Sequence, residues 1–222
     1  MRVAQRRSHG LGHAATATQC KSGVLGHLVT GEQLLDWLNT YTFPCENQFA
    51  DKAHAEKVAD IFLKELLRNG TTTALVFGSV HPQSVDALFE AAQRLDLRLI
   101  AGKVMMDRNA PEYLTDTAES GYNDSKALIE RWHGQGRLHY AVTPRFAPTS
   151  TPEQLTLAGK LLSEYPDVYL HTHISENLQE IEWVKSLFPE RKAGFKAEEV
   201  QVFAHGNKGT RHTIWIAEKI KG

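Results

Sequence analysis

LHYAVTPRFAPTSTPEQLTLAGKLLSEYPDVYLHTHISE, residues 138–176, holds one complete strand, helix and strand. Leu138 to Thr143 is short, apolar and rich in strand-forming residues. Pro152 to Glu164 then carries a helical pattern, with Thr151 as its cap and Pro152 in the first turn, where a missing N–H costs nothing. Val168 to His173 is extended again, and Leu178 to Leu187 is helical. Strand and helix in alternation predict an α/β protein with a parallel sheet or barrel.

The same alternation extends to both sides. Ala55, Val58, Ala59, Phe62, Leu63 and Leu66 recur at three- and four-residue spacing and predict a helix over Ala53 to Leu67, ended by Gly70. Thr71 to Val76 reads as a strand before a loop at Gly78, and Ser84 to Leu95 as a helix with Val85, Leu88, Phe89 and Ala92 on one stripe. Leu97 to Met106 is a strand, and Asp124 to His133 a helix. Val200 to Ala204 is a strand, and Thr213 to Ile220 a closing helix. That makes five strands with helices between them.

In such folds the chemistry gathers beyond the carboxyl ends of the strands. Three groups fall there: Arg145 and Phe146, then His173 and Glu176, then His205. On a strand, residues two apart share a face, so His171 and His173 point the same way. Glu176, three residues on, stands close enough to move protons beside a metal held by histidine, a grouping suited to zinc and water. The same residues also serve as strand-end histidines bonded to backbone and a carboxylate favoured by a helix dipole, so the run alone leaves both open.

Composition narrows the partners. The chain has 222 residues, 41% of them apolar, enough for one sizeable core. Lys and Arg number 25 against 26 Asp and Glu, and no basic run interleaves with aromatics, which speaks against nucleic acid or an anionic membrane and for a small molecule. Cys20 and Cys45 lack the spacing of a thiolate metal site or a disulfide framework, which fits a reducing, cytoplasmic setting. No apolar run approaches membrane-spanning length. Residues 1–30 carry Arg2, Arg6 and Arg7 and no structural period, and are expected to be unstructured or poorly packed.

Four stretches together carry a resemblance: Gly31 to Leu38 (GEQLLDWL), Tyr41 to Pro44 (YTFP), Thr143 to Ser150 (TPRFAPTS) and His173 to Asn177 (HISEN). In this order they resemble the guanine deaminase family of the amidohydrolase superfamily, from about residue 31 to about residue 189. The resemblance implies a partial (β/α)8 TIM-like barrel of the metal-dependent hydrolase type, with zinc as cofactor, guanine and water as substrates, and xanthine and ammonia as products. It implies that His173 is a metal ligand, Glu176 the catalytic proton shuttle, and Arg145 with Phe146 the substrate-binding pair. A guanidinium fork can satisfy a purine carbonyl or ring-nitrogen edge, and a phenyl face can stack on the base. His205 resembles the next metal-binding histidine, although the sequence after Gly206 departs from the family and a chance match stays open. For His171 a hydrogen-bonded barrel-interior histidine is preferred.

Two family features are missing. The His-x-His pair of the first barrel strand is not visible, since His9, His13 and His27 have unsuitable spacings, and neither is the late Asp ligand. The expectation is therefore a truncated or aberrant family member: an atypical segment 1–30, a barrel portion 31–206 and an atypical tail 207–222, with an incomplete zinc site and a homodimer possible. Five of eight strands would leave a parallel edge exposed to pairing. The alternatives from other classes are a non-catalytic fragment binding purine or a partner subunit, and a zinc aminohydrolase acting on another heterocycle.

Overall fold

The strands alternate as their sequences require, one side toward helices and the other toward a shared interior. The computed structural model describes residues 42–173, 178–189, 202–207 and 210–217. Strands β1 (Thr73–Phe77), β2 (Arg98–Gly102), β4 (Leu138–Pro144) and β5 (Tyr169–His173) pair in parallel in that order, and the short β3 (Val104–Met105) also pairs parallel with β4. The helices are α1 (Phe43–Glu46), α2 (Lys52–Arg68), α3 (Pro82–Arg94), α4 (Ala118–Trp132), α5 (Pro152–Glu164) and α6 (Leu178–Leu187).

Val76, Leu99, Ala101, Leu138, Tyr140 and Val142 face outward and join one core with Phe62 and Leu63 of α2, Leu88 and Phe89 of α3, Ile129 and Trp132 of α4, and Leu161 of α5. The next residue in β1, Phe77, belongs instead to an inner cluster with Phe43, Val80, Val104, Met106 and Leu114. Its ring lies 3.8 Å from that of His171 and 4.3 Å from that of His173, centroid to centroid. In a flat sheet β1 and β5 would stand about 14 Å apart, three strand spacings. The sheet is therefore curled, with β1 and β5 facing each other across its concave side. The two histidines share that side, as their spacing requires.

Several boundaries differ from the sequence expectations for local reasons. The strand expected over Leu97 to Met106 breaks at Lys103, whose backbone N–H donates to the Tyr140 hydroxyl at 3.1 Å rather than to a neighbouring strand. Just before it, a Cβ on Gly102 would lie 1.7 Å from the Ala141 carbonyl oxygen, so the close approach of β2 and β4 needs glycine. Helix α4 starts at Ala118, not near Asp124. A capping box between Thr117 and Ser120 begins it ahead of the apolar stripe.

The largest correction is the tail. The closing helix expected at Thr213 to Ile220 is instead strand β7 (Thr210–Ala217), which pairs antiparallel with both β6 (Val202–Asn207) and β5. Thr213-Ile214-Trp215-Ile216 is β-branched and aromatic throughout, a composition that favours a strand once an edge is available. The fifth expected strand, Val200 to Ala204, is thus not a parallel partner of β5: it falls in β6 of a hairpin whose other arm, β7, covers the edge of β5. The segments 1–30 and 218–222 lie outside the described residues.

Candidate functional site at the carboxyl ends of the strands

The backbone of Arg145 ties three strands together. Its N–H donates to the Met105 carbonyl at the end of β3 (3.2 Å), and its carbonyl accepts from the backbone N–H of His173 (3.0 Å) and from the Thr172 hydroxyl (3.3 Å) on β5. The segment that follows is clamped by the loop after β3. Asp107 and Arg108 donate backbone N–H groups to the Thr149 carbonyl, Arg108 Nη2 and Asn109 Nδ2 reach the carbonyls of Ala147 and Pro148, and Asp107 accepts from the Thr151 N–H and hydroxyl. These bonds place Arg145 and Phe146 at the mouth of the curled sheet.

Buried charge is held by pairing there. Arg145 Nη1 donates to Glu46 Oε2 at 2.8 Å, and both side chains are almost wholly out of solvent. The guanidinium carbon lies 5.2 Å from the centre of the Phe43 ring, a distance suited to a cation over an aromatic face. Phe146 is buried, with its ring edge-on to Trp183 of α6 at 6.3 Å.

His173 Nδ1 lies 3.0 Å from the Arg145 carbonyl oxygen. A carbonyl only accepts, so Nδ1 is the donor here, and the tautomer of an uncharged ring that fits this bond carries its lone pair on Nε2. Backbone carbonyls orient metal-binding histidines in this way. His171 lies inside the curl, as expected, but neither of its ring nitrogens has a hydrogen-bond partner among the described residues. Burial holds its pKa well below the ordinary 6.5, and neighbouring His173 pushes the same way, so the ring stays neutral.

Of the residues expected from sequence, Arg145, Phe146 and His173 come together at one end of the sheet. Glu176 lies outside the described residues. His205 is on β6, in register with His212 of β7, and β7 separates it from β5; its side chain also lies outside the description. Among the described residues no group of three or more histidine, cysteine or acidic side chains stands ready for a metal ion. A catalytic zinc takes at least three protein ligands, so the described residues do not complete such a site.

Two residues of this region escape sequence reasoning. Glu46 sits two residues after the YTFP motif, but its pairing with Arg145 spans 99 positions. His81, in the turn after β1, is part-buried, and its Nε2 has no partner among the described residues. Burial lowers its pKa, nearby Glu46 opposes this, and Lys103 adds to it.

The pattern of the amidohydrolase family matches residues 22–215. This chain belongs to the amidohydrolase family. It is 66% identical over 160 residues to guanine deaminase of Escherichia coli (strain K12), which covers 72% of this chain and 36% of that protein. Among solved structures it is similar to guanine deaminase from Bradyrhizobium japonicum, with 42% identity and a TM-score of 0.77 over 81% of this chain and 38% of that one. It is also similar to guanine deaminase from C. acetobutylicum with bound guanine in the active site, with 36% identity and a TM-score of 0.71 over 73% and 39%. The fold of this amidohydrolase is thus part of a TIM-like barrel, and the chain spans little more than a third of the length of the curated relatives it matches.

Proposed function

We propose that this amidohydrolase chain recognises guanine and serves its hydrolysis to xanthine and ammonia. The observation that carries the reading is the Arg145 carbonyl shared between β4 and β5. It sets the guanidinium of Arg145 and the ring of His173 on one rigid junction, next to motifs that match proteins named guanine deaminase.

Arg145 presents N–H donors to the O6 and N7 edge of the purine, and Phe146 stacks on its face. Glu176 takes a proton from the attacking water and passes it to the departing amino nitrogen. Zinc is the proposed cofactor, with His173 through Nε2 and His205 as the ligands this chain contributes. Such an ion, when bound, supplies Lewis acidity toward water. The substrate is a small purine in purine catabolism, in the cytoplasm, and a homodimer is part of the same reading. Among the described residues no helix is long and apolar enough to cross a membrane.

The test is calorimetric titration of the purified chain with guanine and with adenine, alongside xanthine formation and zinc content by mass spectrometry. Binding of guanine in preference to adenine supports the reading. Equal affinity for both, or no binding of either, ends it. Turnover that survives Glu176→Gln rejects the proton-shuttle role.

A further inference from the structure

We infer that Glu46 is a positioning residue that holds the Arg145 guanidinium ready for the purine; this rests on the reading of Arg145 as a guanine contact. Arginine has a long, flexible stem, and a guanidinium out of water needs an anion beside it. Glu46 supplies that anion from the end of the short helix α1, itself fully buried, through the 2.8 Å bond from Nη1 to Oε2. Phe43, three residues earlier on the same turn, lies against the guanidinium at 5.2 Å. One segment, residues 43–46, thereby sets both the edge and the face of the fork.

The pairing is incomplete in a way that a purely structural one would not be. A carboxylate and a guanidinium can meet through two parallel bonds. Here Oε2 is engaged, and Oε1 is buried with no partner among the described residues. On the arginine, Nη1 is the nitrogen that Glu46 holds. His81 Nε2 is another buried polar atom with no partner among the described residues, on a ring close enough to Glu46 to feel its charge. Unpaired buried polar atoms cost stability, and they cluster where a ligand completes them. Glu46 thus fixes one edge of the fork and leaves the other for the base.

The test is a double-mutant cycle on the full chain, read as guanine affinity by calorimetry, with Glu46→Gln, Arg145→Lys and the double variant. Glu46→Gln is expected to weaken guanine binding on the order of ten- to hundredfold, the value of a charge-assisted hydrogen bond. The same change on top of Arg145→Lys should add less than about twofold, because the positioned group is already gone. Glu46→Asp, which keeps the charge on a shorter arm, should recover part of the loss and covers the case in which Glu46→Gln does not fold. Full affinity in Glu46→Gln, or losses that simply add, would overturn the role.

Arginine side-chain nitrogen NMR separates this failure from that of the guanine reading. Slow rotation of the Arg145 guanidinium in the parent chain, released in Glu46→Gln, supports the positioning role even if no guanine binds. Arg145 signals unchanged by the substitution refute the role, whatever the ligand.

Discussion

Two buried ion pairs, one just past β2 and one just past β4, differ in how fully they are satisfied. At the break between β2 and β3, Lys103 Nζ donates to Asp116 Oδ2 at 2.5 Å and to the Val104 carbonyl at 3.2 Å, and the lysine is fully buried. Burial raises the Asp116 pKa, although Lys103 beside it pulls the other way. At the end of β4, Arg145 and Glu46 share one bond, and Glu46 Oε1 has no partner among the described residues. The first pair is closed upon itself and anchors the chain where the strand breaks. The second is open on one side, at the end of the sheet where barrel enzymes bind ligands.

The widest separation between the two is expected from Lys103→Met. Removing one partner of a buried pair strands the other charge, and a loss of about 3–5 kcal/mol in unfolding free energy is expected, measured by urea denaturation. Guanine affinity of the molecules that remain folded should not change. A loss of affinity comparable to that of an Arg145 variant would erase the distinction. Next is Arg145→Lys, which keeps the charge but loses the planar fork. Guanine affinity should fall by roughly tenfold or more, read by calorimetry, while urea unfolding shifts less than in Lys103→Met. Equal unfolding losses in the two variants would make both pairs structural.

A smaller effect follows from pH. Burial lowers the pKa of His81 and His171 near the open pair, and of His133 and His139 elsewhere on the sheet and its helices. Each is neutral when folded at a pH where the unfolded chain, with its ordinary value of 6.5, begins to take up protons. Stability from these groups is therefore complete above about pH 6.5 and lost as the pH falls below it. Calorimetric melting at pH 7.5 and 5.5 should show the lower midpoint at 5.5. A midpoint that is flat or rises on acidification contradicts the burial of these rings. The smallest effect belongs to Lys52→Ala, which removes an exposed pair with Glu90 at 3.1 Å. Its melting midpoint should be indistinguishable from that of the parent chain, since exposed pairs add little.

Much of the fold could be read from local pattern. Helix α5 runs from Pro152 to Glu164, as expected, because its start depends on Thr151, whose hydroxyl accepts from the Gln154 N–H, and on the proline behind it. Helix α4 was harder to read, since its first turns, Glu119-Ser120-Gly121, carry no apolar stripe. The break at Lys103 depends on a tyrosine 37 residues away, and no window of sequence around Lys103 contains that information. The tail departs from its local pattern: Thr213 to Ile220 looks helical only when no partner strand is considered, and the edge of β5 provides one.

Within the candidate site, Arg145, Phe146 and His173 were visible in the motifs that hold them, and their shared junction follows from parallel pairing of the strands that carry them. Sequence by itself determined the alternation of strand and helix, the inward face shared by His171 and His173, and the family to which the chain belongs, because each depends on residues close together along the chain. Only the tertiary structure decided that Glu46 meets Arg145, that His171 has no hydrogen-bond partner among the described residues, and that a hairpin covers β5. Those outcomes depend on contacts between distant segments, and curling the sheet is what brings the segments within bonding distance.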